Sequence, residues 1–138
     1  MPLRVTKVSE TPLRGTVLGF EEYSDYALRN IFEDASPLRI LTCLEERLAF
    51  LVVNPFVVAE DYHFEINDAV ASNLGLTDET IQNVAVLCVA RKVVPNRYVV
   101  NLRAPLIINT DDGRFQQVIL QNEAYGIEVA FSLKEGKA

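Results

Sequence analysis

Cysteine and histidine are scarce in this 138-residue sequence, with two of the first and one of the second. His63 has no companion at ligand spacing, which excludes a zinc site. Cys43 and Cys88 lie inside the apolar stretches 40–44 and 84–89, and no export signal precedes them. Both are therefore expected as buried free thiols rather than a disulfide. No apolar run approaches the roughly 20 residues that cross a bilayer. The opening Met-Pro-Leu-Arg-Val-Thr-Lys alternates polar and apolar residues and lacks a signal peptide's apolar block. A cytoplasmic protein with no membrane partner is expected.

Catalytic equipment is thin as well. Gly15 and Gly19 are wrongly spaced for a phosphate-cradling loop and Gly75 is isolated, so no cofactor is expected. His63 stands between Tyr62 and Phe64 without a nucleophile or an orienting acid that the sequence can pair with it. The adjacent acids Glu60-Asp61, Asp78-Glu79 and Asp111-Asp112 complete no EF-hand pattern and read as solvated turn residues. The expectation is a protein that is not an enzyme and holds no metal.

Basic residues are missing from one long stretch. Between Arg47 and Arg91 there is no Lys or Arg, while Glu60, Asp61, Glu65, Asp68, Asp78 and Glu79 all fall there. Arg91, Lys92, Arg97 and Arg103 then follow with no acid among them. Charge is segregated along the chain, and the net −6 disfavours direct binding to nucleic acid.

What is present is β-strand pattern. Apolar residues make up 49% of the chain and charged ones 23%, so a folded core is expected and disorder is not. Strands are expected at 16–20, 27–32, 38–44, 48–53, 84–91, 97–102, 106–109 and 115–120. The run 48–53 is apolar at every position, so both its faces should be covered. Glu45-Glu-Arg47 and Thr110-Asp-Asp-Gly113 read as hairpin turns. One helix is expected after a cap at Asn67 or Asp68, stopped by Gly75, with a further turn from Thr77. Beyond Asn122 the signal fades into a polar tail from about residue 132.

These elements predict a single domain over residues 1–138. Its fold class is mainly β: a small closed or partly open antiparallel β-barrel-like domain with one or two short helices. Tyr62 and Phe64 share one side of their segment and Asp61, His63 and Glu65 the other, a rim suited to a basic partner. Asn101 and Asn109 flank the Ala104-Pro105 corner, where such side chains satisfy backbone groups. Two alternatives stay open. Tyr98 near Arg97 and Arg103 could form the stacking strip of an oligonucleotide-binding barrel, and a roomy polar interior would make a small-ligand-binding barrel.

Several segments resemble the FliW family of bacterial flagellar assembly factors. Leu18-Gly-Phe-Glu-Glu-Tyr23 is similar to the family's early Gly-Phe-Glu segment. Leu48-Ala-Phe-Leu-Val-Val-Asn-Pro-Phe56, followed by Asp61-Tyr-His-Phe-Glu65, is similar to its central block. Val100-Asn-Leu-Arg-Ala-Pro-Leu-Ile-Ile-Asn109 and Gln117-Val-Ile-Leu120 look like its C-terminal strand pair. Asn54 stands where family members commonly carry Asp, and Tyr125–Phe131 departs from the family's ending. The resemblance implies a β-barrel-like protein without enzymatic activity. Such a protein binds the translational repressor CsrA, relieves repression of flagellin mRNA, and also binds flagellin in competition. The residues expected to meet a partner are Glu60, Asp61, Glu65 and Asp68, with Asn54 and Asn101 beside them.

Overall fold

The computed structural model describes residues 9–30, 36–121 and 123–133. Nine strands run in the order β1 (Ser9–Thr16), β2 (Asp25–Asn30), β3 (Leu38–Cys43), β4 (Ala49–Val53), β5 (Val84–Val94), β6 (Arg97–Val100), β7 (Leu106–Asn109), β8 (Arg114–Gln117) and β9 (Val129–Ser132). A 3-10 turn, Pro55–Val57, and one helix, α1 (Asp68–Asn73), interrupt them. The sheet follows the order β4-β3-β2-β1-β8-β7-β5-β6-β9, and β4 also pairs with β5. That extra ladder closes β1 to β5, β7 and β8 into a barrel, from which β6 and β9 extend. The mainly β fold with a closed barrel is therefore present. One ladder departs from the antiparallel expectation, because β1 and β8 run parallel.

Strand alternation decides what fills the barrel. Leu13, Tyr26 and Cys43 form one cross-strand row, and Leu28, Leu41 and Phe50 the next. With Val52, Leu106, Ile108 and Phe115 they pack the lumen. Neighbours in sequence point the other way, as a period of two requires. Val53 and Cys88, together with Tyr62, Val100 and Leu102, form a second core outside the wall. Ile107 leaves the lumen for a third core with Val70 of α1 and its C-cap Leu74. The fully apolar run is thus covered on both faces where it is buried, at Val52 and Val53.

The hairpin joining β3 to β4 and the one joining β7 to β8 form as expected. Asn67 caps α1 by accepting from the Val70 amide at 2.8 Å, and Gly75 follows at φ 68°. From Thr77, one turn closes through Ile81 N–H to the Thr77 carbonyl at 2.8 Å. Both cysteines are buried and free.

Four expectations are corrected. Thr16–Phe20 is not a strand: β1 ends at Thr16, and the chain turns through a Phe20 N–H to Val17 carbonyl bond with Gly19 at φ 90°. The strand there is β1 itself, masked in the sequence by Pro12 and Gly15. Pro12 is tolerated because its nitrogen faces the β8 side, where pairing begins only at Arg14. β8 stops at Gln117 rather than Leu120. Beyond Asn122, β9 forms where no signal was expected, and it includes Ser132 of the expected polar tail. Residues 1–8, 31–35, 122 and 134–138, including Ile31, Phe32 and the end of that tail, lie outside the described residues.

Candidate functional site

The long connection from β4 to β5 carries every acid of the base-free stretch. It begins at Asn54, whose Oδ1 accepts from the Phe56 amide at 3.0 Å and starts the 3-10 turn. Pro55 is buried, which leaves Phe56 and Val57 exposed on the turn's outer side. The chain then bends at Glu60 and Asp61, closed by the Tyr62 amide on the Ala59 carbonyl at 3.0 Å.

Tyr62 anchors the excursion. Its ring is buried against Phe56, Phe64 and Tyr125, with centroids 5.9, 5.6 and 4.7 Å away. Its hydroxyl donates to the Leu102 carbonyl at 2.6 Å and lies 3.9 Å from Cys88 Sγ. Burial raises the Tyr62 phenol well above its usual range and pushes the Cys88 thiol up to about 12, so both stay neutral. Tyr125 finishes the clamp: its hydroxyl accepts from the His63 amide at 3.0 Å and donates to the His63 carbonyl at 3.2 Å. Arg103 holds that clamp in turn, Nε to the Tyr125 carbonyl at 2.8 Å and Nη2 to the Glu123 carbonyl at 3.2 Å.

Although residues 61–66 are not a strand, their side chains alternate. Tyr62 is buried and Phe64 half-buried, while Asp61, His63 and Glu65 are exposed. Two apolar depressions lie on either side of this ridge, and Glu65 borders both. Phe56, Phe64, Ile81, Val84 and Val86 line the first, of about 580 Å³. Ile66, Val70, Ile107, Val118 and Ile119 line the second, of about 540 Å³. Phe56, Val57, Ile81 and Ile119 are 46, 54, 39 and 62% exposed, a concentration of apolar side chains at the surface. Of the exposed acids Glu65 alone lines these hollows, and an apolar patch with a polar rim is the anatomy of a protein interface.

The expected contact residues divide into two groups. Glu60, Asp61, Glu65 and Asp68 are all exposed on this one excursion. Asn54 and Asn101 are engaged with the backbone instead: Asn101 Oδ1 accepts from the Arg103 amide at 3.0 Å. Asn109 likewise donates to the Leu74 carbonyl at 2.7 Å and accepts from the Asp111 amide at 2.9 Å. Sequence reasoning missed Ile81, further along the same connection, and Tyr125 and Ile119, which reach the site from the chain beyond β8.

Neither alternative is assembled by its expected residues. Tyr98 stacks on Phe131 at 5.3 Å and 21°, and Arg103 is spent on backbone carbonyls. The lumen core is apolar; a recess of about 1050 Å³ is lined by Leu13, Leu28, Leu87 and Ile108 together with Arg39, Asn54, Thr110, Asp111 and Asp112. Among the described residues no three His, Cys, Asp or Glu side chains are placed to hold a metal, and no helix is long and apolar enough to cross a membrane.

Fold and surface together define a small closed β-barrel whose β4–β5 connection carries exposed acids beside two apolar hollows. Its relatives give that class a family. The family model described as FliW protein matches residues 4–131, and this chain belongs to the FliW family of flagellar assembly factors. The flagellar assembly factor FliW of Ruminiclostridium cellulolyticum is 34% identical over 115 residues, 80% of this chain and 75% of that protein. The one from Bacillus subtilis is 30% identical over 108 residues, 78% of this chain and 74% of that protein. A crystal structure of the flagellar assembly factor FliW shares the fold with a TM-score of 0.74 at 24% identity, covering 100% of this chain and 93% of that one.

Proposed function

We propose that this protein regulates flagellar assembly in the cytoplasm by binding other proteins, without catalysing a reaction. Its partners are a CsrA-type translational repressor, whose hold on flagellin mRNA it relieves, and flagellin, which competes for it. The observation that carries this reading is the β4–β5 excursion: six acids and no Lys or Arg from residue 48 to residue 90, with Glu65 bordering two apolar hollows. An RNA-binding repressor presents cationic surface, and an acidic rim draws it in while the hollows take its apolar side chains. Mutual exclusion of RNA and this protein needs only that each weaken the other's binding to the repressor.

Asp61 and Glu65 are the residues to test, being exposed on either side of the buried Tyr62 anchor. Replacing both with Lys is expected to weaken CsrA binding by about tenfold or more at low salt, and to flatten its dependence on ionic strength. Titration calorimetry from 50 to 300 mM NaCl, with circular dichroism to confirm folding, makes the measurement. Unchanged affinity in a folded variant would take these acids out of the interface.

A further inference from the structure

Closing a sheet into a barrel joins its end strands to each other, and here the flap outside the ring keeps a terminal strand. Among the described residues every strand pairs with two neighbours or more except β9, which pairs with β6 alone. We propose that the outer edge of β9 is a docking site for an extended, acidic segment of another protein, which adds to the sheet as a further strand. This site is separate from the β4–β5 excursion and of opposite charge.

The register identifies the groups that would do the pairing. Leu133 N–H bonds to the Asn96 carbonyl at 3.2 Å, in step with the pairs Phe131–Tyr98 and Val129–Val100. The alternation of an antiparallel ladder therefore turns the backbone of Ala130 and Ser132 away from β6. Both residues are exposed. Natural edges are usually guarded by short length, charge, proline, a bulge or a covering element, and of these β9 has short length, at four residues. Val129-Ala-Phe-Ser132 has no charge and no proline, and the one irregularity of this flap lies between Lys92 and Val94 of β5.

The edge is also held ready. Phe131 stacks on Tyr98, and both join Val129 in the second core, so little ordering is left for binding to supply. Such a strand captures extended peptides through main-chain hydrogen bonds, with neighbouring side chains setting the preference.

Charge selects the occupant. Between Arg91 and Thr110 the chain contains no acid. Arg91 pairs with Glu128, but Arg97, opposite Ser132 on the adjoining β6, and Lys92, one strand further on β5, are exposed and make no ion pair among the described residues. A second copy of this chain would bring the same cations together; an acidic segment neutralises them.

The probe is a fluorescein-labelled octapeptide alternating Glu and Val, with a Lys–Val octapeptide as its counterpart, read by fluorescence anisotropy on the full chain. The Glu–Val peptide is expected to bind and to slow hydrogen exchange at the Ala130 and Ser132 amides. Ala130→Pro deletes an outward N–H without removing a β6–β9 bond, and is expected to weaken binding about tenfold. Arg97→Glu, which leaves the backbone alone, should weaken it several-fold if Ala130→Pro does not fold. The Asp61→Lys, Glu65→Lys variant should bind the peptide undiminished, so failure at one site is distinguishable from failure at the other. The proposal is overturned by no binding, by equal binding of the Lys–Val peptide, by unprotected Ala130 and Ser132 amides, or by affinity indifferent to both edge variants. A dimer in sedimentation that Ala130→Pro dissolves would assign the edge to a second copy and overturn it equally.

Discussion

Tyr26 and Tyr62 are both buried, and their hydroxyls meet different surroundings. The Tyr62 hydroxyl donates to the Leu102 carbonyl, whereas the Tyr26 hydroxyl, beside Phe115 in the lumen, finds no partner among the described residues. Deleting an oxygen that satisfies a buried carbonyl costs about 1–3 kcal/mol, while deleting one that satisfies nothing costs little. Tyr62→Phe is accordingly expected to lose that amount in urea unfolding, and Tyr26→Phe to stay within about 0.5 kcal/mol of the parent. Equal losses would show that the Leu102 bond is not what holds the excursion to the wall. Sequence spacing already put Tyr62 and Phe64 on one side. It could not show that Tyr125, 62 positions beyond His63, clamps the backbone between them.

Single elements show where local pattern suffices and where it misleads. The two hairpins and α1 carry their own instructions: alternation broken by Glu45–Arg47 and by Thr110–Gly113, and an Asn67 cap before helical spacing. Strand β1 carries contrary ones, since Gly15 weakens a strand in isolation. Its reason lies in β8: a Cβ at residue 15 would stand 1.9 Å from the Phe115 carbonyl oxygen. Gly15→Ala must therefore push β1 from β8 at the ladder that closes the ring, and a loss of about 1–3 kcal/mol is expected in denaturant titrations. A change under about 0.5 kcal/mol would mean the contact relaxes freely.

The turn between β3 and β4 is tied to β2 by Glu45, whose Oε1 accepts from the Asp25 and Ser24 amides at 3.0 and 2.7 Å. Those bonds hold the Glu45 carboxyl below its ordinary 4.5. A lowered folded value means the stabilisation is complete above the unfolded value and fades as pH falls through the folded one. The gap in melting temperature between the parent and Glu45→Gln should thus be steady near pH 7 and narrow below about pH 4.5. A gap constant down to pH 3 would contradict that tie.

For the whole molecule, the acids of the base-free stretch share one excursion, which Arg114 meets from β8 through the Asn73 carbonyl. The excursion from β4 to β5 wraps acids around the outside of the wall, and the β5–β6–β9 flap gathers Lys92 and Arg97. Net charge alone predicts only a long-range attraction for cations. Its concentration on one face supplies direction, so the proposed contact with a CsrA-type partner should lose association rate faster than it gains dissociation rate as salt rises.

Composition and pattern by themselves determined the β class, the two hairpins, the capped helix, the free buried thiols and the location in sequence of the acidic stretch. Each follows from residues a few positions apart, through alternation, turn chemistry or capping. The tertiary structure alone decided that β1 lies parallel to β8, that β5 returns to β4 to close the ring, and that β9 is left with an open edge. It also decided that Ile81, Val118 and Ile119 meet the ridge at Glu65 to form two hollows. Those outcomes depend on pairings between residues tens of positions apart. Their stabilisation comes from burying surface between partners that local sequence does not name.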